Sequence, residues 1–103
     1  MEVKVSSELL IVLMMYDRAI DEEVMEMLSS LEIRYYTKWR DVVGVGRRDP
    51  HLGDDVWPGL NNVLLMVIDE EKKRRLVEMV KVLQKNFPSV GLRAFVAPVL
   101  EMV

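Results

Sequence analysis

The chain has 103 residues, of which half are apolar and 30% are charged, and its formal net charge is -3 at pH 7. This composition is typical of one ordinary globular domain, which we expect to span residues 1–103, and it excludes a disordered chain. A net charge this small and negative argues against a dedicated nucleic-acid surface, which needs a basic face. The lack of cysteine excludes disulfides, thiol nucleophiles and cysteine metal sites.

The first element is the apolar run LLIVLMM at residues 9–15. It is too short to span a bilayer and has neither the charged start nor the cleavage site of a signal peptide. We therefore expect a cytoplasmic protein without a membrane span. A short continuous apolar run of this kind predicts a strand that is covered on both faces.

A helix and a second strand are predicted next. Acidic residues 21–23 suit a helix N-terminus, and five apolar residues then recur at helical spacing: Ile20, Val24, Met27, Leu28 and Leu31. From Ile33 to Arg40 the period changes to two, which would place Ile33, Tyr35, Thr37 and Trp39 on one face of a strand. Asp41 breaks the phase, as a bulge would.

The second half of the chain repeats this order. Val63–Ile68 is a buried strand, Asp69 is a predicted N-cap, and the following helix has an apolar stripe: Leu76, Met79, Val80, Leu83 and Phe87. The last strand is Leu92–Val99, with Pro98 at an edge or bulge. Two β-α-β halves of this kind predict an α+β ferredoxin-like βαββαβ sandwich, a four-stranded antiparallel sheet with two helices on one face.

The burial pattern also predicts self-association. Two helices cover only one face of the sheet, whereas neighbouring residues of the two apolar strands point to both faces. Because a contiguous exposed apolar face usually marks an interface, we expect the second face to pack against copies of the chain in a closed homo-oligomer.

The two halves are joined by residues 44–62, GVGRRDPHLGDDVWPGLNN, which hold four of the five glycines. We call this segment the glycine-rich loop. Gly and Pro exclude a regular helix or central strand here, and long loops of defined shape usually carry function. Arg47 and Arg48 are candidates to bind an anion, or alternatively to pair with Asp49, Asp54 or Asp55.

Other residues of the glycine-rich loop offer weaker candidates. His51, Asp54 and Asp55 are residue types that bind metals, but their spacing is not a known ligand signature. Trp57 could contact a ligand or a neighbouring subunit. The chain has no nucleophile beside its single histidine and no dinucleotide fingerprint, so we do not expect an enzyme.

Three segments resemble the PII-like superfamily of trimeric ferredoxin-like signalling proteins. These are Tyr16–Val24, where the first strand turns into the first helix; Gly44–Arg48 with His51, of the form GxGRxxxH; and Val63–Ile68 with its acidic-capped helix. The resemblance implies a homotrimer with small-molecule sites in the clefts between subunits and a loop that docks onto a protein partner. It also implies that Gly44 and Gly46 lie beside a bound adenine nucleotide.

The chain departs from the family at the turn between the second helix and the last strand. That turn, residues 86–91, contains no lysine, and Arg93 is the first basic residue after it. The ligand is therefore unknown, with an adenine nucleotide as one candidate. The loop also has no tyrosine for uridylylation, unlike the nitrogen-regulating members. The ligand-binding residues we expect are Gly44, Gly46, Arg47, Arg48, His51 and Trp57. The alternative function is a trimer that binds or tolerates metals, as in the similarly folded CutA proteins.

Overall fold

The computed structural model describes residues 9–103. Its elements are β1 (Leu9–Asp17), a 3₁₀ turn (Arg18–Ile20), α1 (Asp21–Ser30), β2 (Thr37–Val42), β3 (Asn61–Asp69), α2 (Glu70–Asn86) and β4 (Leu92–Pro98). All neighbouring strands are antiparallel, in the order β2-β3-β1-β4. The ferredoxin-like fold predicted from the sequence is confirmed. Residues 1–8 of the expected domain lie outside the described part.

One face of the sheet forms the hydrophobic core with the two helices. Alternate residues of the central strands β1 and β3 are buried on this face: Val12, Met14, Tyr16, Leu64, Met66 and Ile68. The predicted stripes of the helices meet them, with Val24 and Leu28 of α1 and Leu76 of α2 almost completely buried. Because burial of one such side chain contributes about 2 kcal/mol, this layer supplies most of the driving force for folding.

The other face of the sheet carries a second apolar layer that neither α1 nor α2 covers. We call it the open sheet face, and it consists of Leu9, Ile11, Leu13 and Met15 of β1 and Val63, Leu65 and Val67 of β3, flanked by Trp39 and Phe95. Trp39 is 46% exposed and Phe95 52%. The exposed apolar face predicted from the two apolar runs is therefore present.

The prediction for the second strand was wrong at its start. β2 begins at Thr37. Ile33 is instead buried under the end of α1, where its N–H donates to the carbonyl of Leu28 at 2.9 Å. Glu32 turns the chain there with a left-handed φ of 59°, and Tyr35 is 85% exposed. Residues whose polarity alternates as in a strand therefore form a helix-terminating turn.

Three smaller predictions are confirmed. The register between β2 and β3 shifts between Trp39 and Val42, which is the predicted irregularity at Asp41. Asp69 caps α2 by accepting a hydrogen bond from the N–H of Lys72 at 2.8 Å. Pro98 ends β4, which is an edge strand. Neither helix in residues 9–103 has the length and apolar character that crossing a bilayer requires.

Candidate functional site

The first part of the glycine-rich loop is a small hairpin. Gly44 and His51 exchange both backbone hydrogen bonds, at 2.9 and 2.8 Å. The hairpin tip between them carries Arg47 and Arg48, both exposed. The pairing explains why the loop projects a defined tip, because a two-bond rung fixes the separation and direction of its two arms.

The second part of the loop, residues 52–59, is a compact turn. Asp54 Oδ1 accepts hydrogen bonds from the N–H groups of Val56 at 3.1 Å and Trp57 at 2.6 Å. The carbonyl of Trp57 in turn accepts from Leu52 and Asp54. Gly53 adopts a left-handed φ of 69°, which favours glycine, and lies against Leu60. The loop ends at Leu60, since Asn61 and Asn62 belong to β3.

The base of the loop is built around His51. Its Nδ1 lies 2.6 Å from Asn61 Oδ1, and its Nε2 lies 3.5 Å from Asp17 Oδ2. Asp17 and Asn61 face each other across β1 and β3. Alternation places them on the same side as Met15 and Val63, so the loop base adjoins the open sheet face.

The corner between β1 and the 3₁₀ turn holds both ends of the loop. The N–H of Arg18 donates to the carbonyl of Leu60 at 3.0 Å, at the loop exit. Its guanidinium forms an ion pair with Asp41 Oδ1 at 2.8 Å, just before the loop entry. The N–H of Asp17 also donates to the carbonyl of Gly91 at 3.0 Å, in the turn before β4. This corner therefore brings three separate chain segments together.

A polar network lies beneath this corner, on the core side of the sheet. Asp21 accepts hydrogen bonds from the Tyr16 hydroxyl at 2.6 Å, from Lys38 Nζ at 2.9 Å and from Asn62 Nδ2 at 3.0 Å. Burial alone raises the pKa of the Asp21 carboxyl, but the hydrogen bonds from Lys38, Tyr16 and Asn62 outweigh it and lower the pKa. Burial, followed by the hydrogen bond to the Asp21 carboxylate, raises the pKa of Tyr16.

Asn62 connects this network to the loop entry. Its Oδ1 accepts a hydrogen bond from the N–H of Asp41 at 2.9 Å, while its Nδ2 donates to Asp21. Asp41 has a left-handed φ of 58°, which is costly for a residue with a side chain. The bond to Asn62 and the ion pair with Arg18 offset that cost, so the direction in which the chain leaves β2 is fixed.

The predicted binding residues are only partly brought together. Arg48 donates to the carbonyl of Pro88 at 2.8 Å, in the turn between α2 and β4. Within residues 9–103, neither Arg47 nor Arg48 forms an ion pair with Asp49, Asp54 or Asp55, which was the alternative expectation. Gly46 is open to solvent and Trp57 is half-buried in the second turn.

The residues considered for a metal do not fit one. Asp54 is occupied by the amides of its own turn, and both ring nitrogens of His51 face the loop base. Across residues 9–103, no three His, Asp or Glu side chains converge as a metal site would require.

The residues that build the loop base were missed by the sequence reasoning. Asp17, Arg18, Asn61 and Asn62 are polar residues at the ends of apolar strands, where they look like ordinary strand boundaries. The available signal was the tandem Asn61-Asn62, because two consecutive amides at the start of a buried strand must find partners on both faces of the sheet.

Solved structures with the same fold include PII-like proteins. No protein family model and no curated protein matches the sequence. A Thermus thermophilus protein described as PII-like is 23% identical with a TM-score of 0.66, over 88% of this chain and 86% of that one. CPII from Thiomonas intermedia K12, a nitrogen regulatory PII-like protein bound to ADP, AMP and bicarbonate, is 15% identical with a TM-score of 0.66, over 92% and 96%.

A third solved structure has a similar fold. A DUF3240 family protein from Shewanella baltica OS155 is 11% identical with a TM-score of 0.66, over 94% of this chain and 96% of that one. At identities this low the likeness shows the fold and not the ligand. The resemblance seen in the sequence is confirmed at that level: this chain has the fold of solved PII-like signalling proteins.

Proposed function

We propose that the chain is a non-catalytic PII-like regulatory protein, a homotrimer that binds a small anionic ligand in clefts between subunits. The observation that carries the proposal is the continuity between the open sheet face and the loop base. Asp17 and Asn61 extend the row that Met15 and Val63 begin, and His51 sits on that pair. A copy that covered the whole open sheet face would therefore reach the base of the glycine-rich loop.

The extent of the open sheet face supports self-association. Its outward-facing positions on the two central strands are all apolar from Leu9 to Met15 and from Val63 to Val67. Monomeric proteins rarely expose apolar patches of this kind. A trimer is the closed assembly that the PII-like resemblance implies, and its clefts would be lined by the loop of one subunit and the sheet of the next.

The basic residues near the loop favour an anionic ligand. Arg47 and Arg48 lie on the hairpin tip, and Arg93 pairs with Met15 at the rim of the open sheet face. Phosphate and carboxylate groups are the anions that guanidinium groups bind best. CPII binds ADP, AMP and bicarbonate. The two nucleotides carry phosphate groups, and bicarbonate is an anion that resembles a carboxylate. Gly44, Gly46, His51 and Trp57 would complete the site.

The loop tip is also suited to a protein partner. Val45 is 70% exposed and Val56 is 72% exposed, one on each part of the loop. Exposed apolar side chains beside arginines are typical of recognition surfaces. Ligand binding in the cleft beside the loop would change the position of these exposed side chains, and a protein partner could detect that change.

Isothermal titration calorimetry with ADP, AMP and bicarbonate tests the proposal. We expect the wild-type protein to bind at least one of the three, and Arg47→Ala with Arg48→Ala to weaken that binding about tenfold or more. Arg74→Ala with Arg75→Ala removes the same charge from α2 and should leave affinity unchanged. Equal loss in both double variants, or no binding by the wild-type protein, would overturn this assignment.

A further inference from the structure

We propose that Asn61 is the positioning residue of the glycine-rich loop. Its amide holds the His51 imidazole and packs against Gly44, and it thereby sets the hairpin that carries Arg47 and Arg48. The consequence for ligand affinity rests on the function proposed above. The consequence for loop order does not, since it concerns contacts within one chain.

A side-chain hydrogen bond joins Asn61 and His51. The two atoms, Asn61 Oδ1 and His51 Nδ1, are 2.6 Å apart, which is short for such a pair. A carbonyl oxygen only accepts, so Nδ1 carries the hydrogen and Nε2 is directed to Asp17. The bond to Asn61 therefore fixes the orientation of the ring at the base of the loop, and the ring cannot turn without losing it.

The space around these two side chains is restricted by two glycines that lie close to them. A Cβ atom on Gly44 would lie 2.4 Å from Asn61 Nδ2, and one on Gly59 would lie 3.2 Å from His51 Cδ2. Among the glycines of the described chain only Gly53 has a positive φ. Gly44 is thus a glycine because the Asn61 amide occupies the space of a side chain, and the imidazole leaves Gly59 little room for one. Neither has a backbone angle that requires glycine.

This packing is connected to the proposed binding residues through the hairpin. Gly44 and His51 begin and end the hairpin and pair with each other through two backbone bonds. Asn61 contacts both of them from β3. Its backbone is fixed in the sheet because Asn61 pairs with Asp17 of β1. One side chain on a rigid strand therefore controls both arms of the hairpin, so the tip moves if Asn61 is lost.

A double-mutant cycle between Gly44→Ala and Asn61→Ala tests the proposal. The readout is hydrogen exchange of the Gly44 and His51 amides by NMR, with the melting temperature as a check on the fold. We expect each single variant to speed exchange at both amides about tenfold, as loss of one hydrogen bond does. In the double variant the clash at Gly44 is gone, so the second change should add little. Gly46→Ala, which meets no neighbouring atom, is the matched control.

Additive effects in the cycle, or unchanged exchange in Asn61→Ala, would overturn the proposal. If Asn61→Ala lowers the melting temperature, Asn61→Ser repeats the test with a polar side chain too short to reach His51. Titration with ADP then separates the two proposals. A wild-type protein that binds ADP and an Asn61→Ala variant that binds about tenfold more weakly support both. Absence of ADP binding with altered exchange removes ADP as the ligand and leaves the positioning role intact.

Discussion

Lys38 and Asp21 form an ion pair in which Lys38 Nζ lies 2.7 Å from Asp21 Oδ1, and the side chains are only 9% and 30% exposed. The pair joins the edge strand β2 to the first residue of α1. It lies at the centre of the network that includes Tyr16 and Asn62. Because Asn62 also holds the loop entry, this interaction connects the stability of the fold to the shape of the loop.

Removing the Lys38 ammonium should destabilise the protein. Lys38→Met leaves the Asp21 carboxylate with two hydrogen bonds and no cation, and we expect a loss of about 2 kcal/mol in the free energy of unfolding. Urea denaturation at fixed protein concentration measures it. Lys73→Met breaks the more exposed pair with Glu70 and should cost less than about 0.5 kcal/mol. Equal losses for the two variants would contradict the central role of the network.

The Asp21 carboxyl should make the protein sensitive to acid. Its pKa in the folded state is below the ordinary value of 3.8, so its contribution to stability is present above that pH. It is lost as the pH falls from 3.8 through the lower folded value. Stability measured between about pH 5 and pH 2 should therefore depend less steeply on pH for Asp21→Asn than for the wild-type protein. Parallel curves for the two proteins would refute this assignment.

Tyr16 should produce the opposite dependence at alkaline pH. Its folded pKa is raised above the ordinary value of 10.0, so the stabilisation is complete below that pH. As the pH rises above 10.0 the unfolded chain loses the phenolic proton first, and the folded state loses stability. Tyr16→Phe should be about 1 kcal/mol less stable at neutral pH, because it lacks the bond to Asp21, yet lose less stability in alkali. A steeper alkaline loss in the phenylalanine variant would contradict this.

The fold was predictable because the apolar pattern is strong where it matters. The runs at residues 9–15 and 63–68 contain enough apolar side chains for two layers, and both layers exist. The pattern failed at Ile33, where an alternating sequence forms a turn under the end of α1 instead of a strand. Local alternation does not show that Ile33 is needed to complete the core beside Leu28.

The loop base was not predictable from the residues that drew attention to the loop. Glycines and arginines indicated where a site could form. The contacts that hold the loop in place come instead from four other residues: Asp17, Arg18, Asn61 and Asn62. These partners are separated from the loop entry in sequence and meet only when β1 pairs with β3. Side-chain hydrogen bonds across such distances leave no periodic signal.

Two glycines of the loop should respond differently to alanine. Gly53 has a φ of 69°, and its added Cβ would lie 3.0 Å from Leu60, so Gly53→Ala should disturb the turn at a cost of about 1 kcal/mol. Gly46 has neither constraint, and Gly46→Ala should be neutral or slightly stabilising. Hydrogen exchange of the Trp57 amide compares them. Faster exchange in Gly46→Ala than in Gly53→Ala would show that the turn geometry is wrong.

A charge on the open sheet face should prevent the proposed self-association. Leu13 lies between Leu65 and Phe95 on that face, and Leu13→Glu would bury a carboxylate in the proposed interface. We expect sedimentation velocity to show a monomer for this variant at micromolar concentration. Val82→Glu adds the same charge at a 51% exposed site on α2 and should leave the assembly intact. Dissociation by both variants would place the interface elsewhere.

The most direct measurement is native mass spectrometry of the wild-type protein. Shared clefts between subunits require an assembly, and the proposal gives a species at three times the 12.0 kDa chain mass that gains mass when the anionic ligand is added. A single 12.0 kDa species at micromolar concentration, with or without ADP, would contradict the account, since the open sheet face would then have no partner subunit and the loop no cleft.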